Sequence, residues 1–124
     1  LIVVDTSVWI DFIRAGGRAS IEPFAELSEQ LLLHDFVVGE LALGNFRDRR
    51  SAFRKLAGVF PAPTASTRIV RELIETQRLH STGIGYVDVH LLASTLLVEG
   101  GRLWTRDKRL GVVAGRLGIR AEIE

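Results

Sequence analysis

Four carboxylates stand where the surrounding pattern asks for something else: Asp5, Glu40, Asp88 and Asp107. Asp5 ends the apolar run Leu1 to Val4. Glu40 follows Phe36 and Val37 at helical spacing, immediately ahead of Leu41. Asp88 lies one turn before Leu91 and Leu92 in the most apolar stretch of the chain, and Asp107 comes just after the Arg102 to Thr105 run. Carboxylates are rarely buried unless they are paired or hold a metal. Each has a plain structural role open to it: Asp5 as a helix N-cap, Asp88 as a first-turn acid, Glu40 as a partner for an arginine, Asp107 as a turn former. Together they point to chemistry. Two carboxylates about 5 Å apart repel by roughly 3 kcal/mol at an effective dielectric of about 20, and a divalent cation offsets that repulsion. The chain has no cysteine, so a thiolate zinc site is excluded, and an all-oxygen set favours magnesium or manganese.

The elements that must position these acids alternate. Leu1 to Val4 reads as a strand, followed by a helix capped by Asp5, Thr6 or Ser7, with Val8, Trp9, Phe12 and Ile13 at helical spacing. Ser20 to Gln30 reads as a second helix, with Pro23 in its first turn, and Leu31 to Leu33 as a second strand. Helices are expected over Asp35 to Gly44, Arg49 to Val59, Ser66 to Leu79, Tyr86 to Glu99 and Lys108 to Leu117. The Tyr86 to Glu99 segment is apolar on nearly every side, which predicts a buried helix. The prolines of FPAPTAS confine any strand at Val59 to Ala62 to an edge. Arg102 to Thr105 and Ile119 to Ile123 complete the strands. This alternation predicts an α/β fold: a three-layer α/β/α sandwich around a mainly parallel sheet, built from residues 1–124 as one domain. Ligands in such sheets collect outside the carboxyl ends of the strands, where Asp5 and Asp107 fall.

Composition narrows the class. With 47% hydrophobic and 25% charged residues, the chain falls in the range of soluble globular proteins. The absence of cysteine fits a reducing cytoplasm, the apolar N-terminal stretch is broken by Asp5 and Asp11, and no apolar run is long enough to span a bilayer. A formal net charge of +1 gives no global nucleic-acid signature, but the charge is unevenly spread. Arg47, Arg49, Arg50, Arg54 and Lys55 face a single acid, Asp48, and Arg106, Lys108 and Arg109 cluster later. These are either a solvated face or a phosphate-contacting surface. His34, His80 and His90 are scattered and read as satisfied or solvent-facing histidines rather than ligands. Trp9 and Trp104 read as core.

Four stretches carry a family resemblance: VVDTSVWIDFI around Asp5, VVGELALG around Glu40, GIGYVDVHLLAST around Asp88 and LWTRDKRL around Asp107. In their order and spacing the chain resembles the PIN domain family, and within it VapC-type toxins of type II toxin-antitoxin systems. With the final strand, the resemblance covers almost the whole chain. It implies strand order 3-2-1-4-5, which sets strands 1 and 4 side by side. It further implies that Asp5, Glu40, Asp88 and Asp107 form the magnesium or manganese site of an endoribonuclease leaving 5′-phosphate and 3′-hydroxyl ends. Thr105 then orients water and carboxylates, and Thr6 and Ser7 support the first acid. Also implied are a homodimer and a VapB-like antitoxin whose C-terminal segment fills a groove near the site. Trp9, Phe12, Phe46 and Phe53 are the apolar residues proposed for that groove, and Arg47, Arg49, Arg50, Arg106 and Arg109 the candidates for RNA contact. Many relatives carry a further acid where this chain has Arg109, which removes one ligand for a second metal and offers a cation to the substrate instead.

Two other readings compete. A phosphoryl-accepting receiver domain has similar length and alternation, but it needs paired acids after the first strand and a lysine after the last, and this chain has neither. A PIN-like module that binds RNA or protein without cutting is the alternative to an enzyme.

Overall fold

The computed structural model describes residues 1–15 and 27–123. Four strands form one parallel sheet: β1 (Ile2–Val4), β2 (Leu31–Leu33), β3 (Phe60–Pro61) and β4 (Arg102–Trp104), in the order β3-β2-β1-β4. In register, Val3 pairs with Leu32 on one side and with Leu103 on the other. β1 and β2 are buried throughout, as expected of strands covered on both faces. β3 is the exposed edge, and Pro61 is tolerated there because an edge strand can do without one donor.

Among the described residues, six α-helices flank the sheet: α1 (Thr6–Arg14), α2 (Asp35–Ala42), α3 (Arg49–Leu56), α4 (Thr67–Thr76), α5 (Tyr86–Leu97) and α6 (Lys108–Arg116). Strand order reverses direction between β3 and β4, so right-handed crossovers put the earlier and later helices on opposite faces. That reversal also opens a crevice at the carboxyl ends of β1 and β4. The central helix is α5, whose residues Val89 through Thr95 are all buried. Trp9 and Trp104 are core residues, and the Trp9 indole donates to the Val4 carbonyl at 3.1 Å.

The last strand and the helix ends differ from expectation. The final strand contracts to a single parallel bridge between Leu103 and Arg120. Leu103 donates to the Ile119 carbonyl at 2.7 Å and accepts from Ala121 at 2.8 Å, so the fifth position in the sheet is occupied, but by extended chain pairing at one residue. The expected Ser20 to Gln30 helix lies mostly outside the described residues; of those described, Leu27 is helical and Ser28–Gln30 form a 3-10 turn. The later helices also stop one to three residues short of the apolar pattern. For α4 the cause is local: Arg78 adopts φ 52° and Leu79 donates back to the Ile74 carbonyl at 2.9 Å. α6 closes the same way through Gly118 at φ 75°, with Ile119 donating to Ala114 at 2.9 Å.

Candidate active site

The crevice at the switch point is built from four element ends. Asp5 leaves β1 buried, and its amide donates to the Trp104 carbonyl at 2.9 Å, fixing it beside Thr105 at the end of β4. It occupies the N-cap position of α1, yet its carboxylate makes no capping bond. Instead Oδ2 accepts from the Ser7 hydroxyl at 2.7 Å and from the Thr105 hydroxyl at 2.8 Å. Thr105 in turn accepts from the Asp107 amide at 3.0 Å, so one hydroxyl ties the first acid to the backbone of the fourth. The Ser7 hydroxyl likewise accepts from the Arg106 amide at 3.1 Å.

Glu40 is exposed on α2 and meets no arginine among the described residues; its Oε1 accepts from the Thr6 hydroxyl at 2.6 Å. Asp88, in the first turn of α5, accepts from the Gly85 amide on Oδ2 at 2.9 Å. Asp107 caps α6, with Oδ1 accepting from the Leu110 amide at 3.0 Å. The structural roles of Asp88 and Asp107 are thus real, but each uses only one oxygen. In all four acids one carboxylate oxygen is held by a hydrogen bond and the other takes none from the described residues.

The four acids feel one another. Burial pushes the Asp88 carboxyl above its ordinary value, the Gly85 amide opposes this, and the negative charges of Asp5, Asp107 and Glu40 add to the rise. Even so, no group of three or more histidine, aspartate or glutamate side chains among the described residues is arranged to hold a metal ion as the side chains stand. The donor set is nonetheless of the right chemistry for a hard cation: oxygen only, with an unengaged oxygen on each acid.

The basic residues divide by what they touch. Arg49 is committed to structure: its guanidinium donates to the Gly44 and Ala42 carbonyls at 2.8 and 2.9 Å, closing the end of α2, and lies 5.3 Å from the Phe53 ring centre. Arg106 pairs with Asp11 on α1. Arg109 lies against Gly83, where φ is 84° and an added Cβ would come within 3.0 Å of its Cδ. That seat places Arg109 on the turn leading into the helix that carries Asp88. Sequence reasoning missed this seat, although a glycine in the turn before Asp88 was visible. Arg47 and Arg50 are exposed on or beside α3.

The expected groove takes a different form. Phe12, Ile13, Phe46, Ala52 and Leu56 line a hollow of about 430 Å³ between α1 and α3, with Arg14, Arg47 and Lys55 also in its wall. Trp9 is core and contributes only to the wall of a neighbouring hollow of about 560 Å³, while Phe53 lines neither. No described helix is long and apolar enough to cross a membrane.

Comparison with known proteins identifies the family of this fold. A model of the PIN domain matches residues 2–116. Two curated relatives, both "Ribonuclease VapC32", come from Mycobacterium tuberculosis strains CDC 1551 / Oshkosh and ATCC 25618 / H37Rv. Each is 39% identical over 119 residues, covering 96% of this chain and 94% of the relative. The chain belongs to the PIN domain family.

Proposed function

We propose that the protein is a metal-dependent endoribonuclease of the VapC type, cutting RNA phosphodiester bonds at Asp5, Glu40, Asp88 and Asp107. The observation that carries the reading is the hydrogen-bond wiring at the strand ends of a PIN fold, in which Thr6 holds Glu40 while Ser7 and Thr105 hold Asp5, Thr105 also accepting from the Asp107 amide. Identity with ribonucleases along nearly the whole chain supports the same activity.

Magnesium or manganese, bound by the unengaged oxygens of these acids, would supply positive charge for the phosphate oxygens and lower the pKa of a bound water. The protein's own part is orientation. Thr105 and Ser7 hold Oδ2 of Asp5 and leave Oδ1 available. Thr6 restrains Glu40, and the Gly85 and Leu110 amides restrain Asp88 and Asp107. Arg109 supplies a cation for substrate phosphate in place of a further acid.

The partner we propose is a VapB-like antitoxin. Its apolar segment, flanked by acidic residues, would fill the hollow between α1 and α3, where Arg14, Arg47 and Lys55 offer complementary charge. We further propose a single cytoplasmic domain that acts as a homodimer. The test of function is cleavage of structured RNA by partner-free protein in manganese. Cutting that stops with EDTA supports the reading, whereas RNA that is bound but never cut identifies a binding module.

A further inference from the structure

Eight large hydrophobic side chains are exposed among the described residues, and three of them are aromatic: Phe36, Phe60 and Tyr86. Phe60 belongs to the edge strand. Phe36 and Tyr86 share one seam, because both rest on the same buried ring. The His90 ring centre lies 4.5 Å from that of Phe36 and 4.7 Å from that of Tyr86. Behind them His34 is fully buried, with its ring centre 5.2 Å from that of Phe36. The two histidines thus fix the outer rings from within, while Phe36 remains 37% and Tyr86 49% exposed.

This row adjoins the acids. Phe36 precedes Glu40 by four residues on α2, so the two side chains stand on one helix face, roughly 5–6 Å apart at Cβ. Tyr86 opens the turn of α5 that carries Asp88. A flat group lying on these rings would therefore be within about one nucleotide of a phosphate at the carboxylates. Unpaired RNA bases are commonly held by stacking on aromatic side chains, which tolerates any base because each has a π-face.

We propose that Phe36 and Tyr86, braced by His90, form a stacking surface for an unpaired nucleobase next to the cleaved phosphate. This rests on the ribonuclease reading above.

The test uses an Asp5→Asn background, in which RNA is bound but not cut, and short single-stranded RNAs carrying 2-aminopurine, whose fluorescence falls on stacking. Phe36→Ala and Tyr86→Ala are each expected to weaken binding by about 5- to 100-fold, the effect of losing one base–aromatic stack, and to abolish the quench. Phe36→Tyr and Tyr86→Phe keep a ring and should keep both signals, which separates stacking from a folding defect. Light scattering on the same samples checks the number of copies. Alanine variants with unchanged affinity and quench would overturn the proposal. So would variants that lose only self-association, which would assign the rings to an interface between copies. Failure of the protein with Asp5 intact to cut any RNA in manganese would instead count against the ribonuclease reading, independently of the stacking result.

Discussion

The helices α2 and α5 bring two polar clusters to the carboxyl ends of the strands, and the two behave in opposite ways. Glu40 and Asp88 join Asp5 and Asp107 in a like-charged group that is partly open to water. His34 and His90, on the same pair of elements, are buried and held below their ordinary protonation range, chiefly by burial; for His34 the charge of His90 adds to the effect and Asp35 opposes it. Among the described residues, His34 Nε2, His90 Nδ1 and the Ser94 hydroxyl have no hydrogen-bond partner. Burial disfavours charge on the two histidines, and it likewise disfavours charge on Asp88, whereas Glu40 and Asp107 lie open to water. On the proposed reading catalysis uses the carboxylates, while the histidines brace the rings beside them.

The sharpest way to break the comparison is to remove charge from the open cluster. Asp5→Asn and Asp107→Asn should each reduce RNA cleavage by about a hundredfold or more, at or beyond the loss seen when a hydrogen-bond partner of a metal ligand is deleted. The protein should stay folded, because asparagine can still cap α6 at position 107 and one like charge has gone. Cleavage rates and melting curves on the same preparations check both halves. Unfolding would return these acids to structural roles.

Next in size is the hydroxyl that links two acids. Thr105 donates to Asp5 and accepts from the Asp107 amide. Thr105→Ala should lower cleavage by roughly 10- to 100-fold, and Thr105→Ser should recover most of it because the hydroxyl is all that the geometry uses. Equal losses in both variants would point to packing rather than to the hydroxyl.

Smaller still are the opposite pH signatures. A histidine whose folded pKa is depressed contributes stability that is present above its unfolded value and lost as pH falls below it. The metal-free protein should therefore weaken below about 6.5, the ordinary histidine value, with a slope of at most about 1.4 kcal/mol per pH unit for each histidine. His34→Asn keeps a side-chain acceptor for the Phe36 amide and should flatten that slope, whatever its overall stability. Asp88 has the reverse sign. Its folded pKa is raised, so its contribution is complete below the ordinary carboxylate value of 3.8 and lost as pH rises through the raised one. Asp88→Asn should be stabilised relative to the parent toward neutral pH, with the gain fading in acid. Denaturant melts across pH read both slopes; parallel curves for parent and variants would show that neither cluster titrates as described.

The contrast also explains what the sequence could reveal. The acids were legible because each interrupts an apolar pattern that otherwise runs cleanly, and buried strands and the all-apolar α5 leave an unmistakable signature. Their wiring was not legible, because Thr6, Ser7 and Thr105 are ordinary residues until the fold brings 5 and 105 together. Arg49 read as one more surface cation, yet it closes α2, since the bonds it makes depend on where the helix ends. Helix ends misled for a similar reason. Gly118 announces its left-handed turn, whereas Arg78 makes the same turn without a glycine to mark it. The last strand shrank to a bridge because pairing centres on one residue of a three-residue neighbour, Leu103.

The central claim, that the open cluster exists to share a divalent cation, is tested most directly without RNA. Thermal unfolding of the parent and of Asp5→Asn should be compared with and without manganese. The parent should gain stability by mass action, about 2.7 kcal/mol at a hundredfold excess of cation over its dissociation constant, and Asp5→Asn much less. Without metal, Asp5→Asn should melt at or above the parent. No stabilisation of the parent by manganese or magnesium, or equal stabilisation of both proteins, would contradict the account.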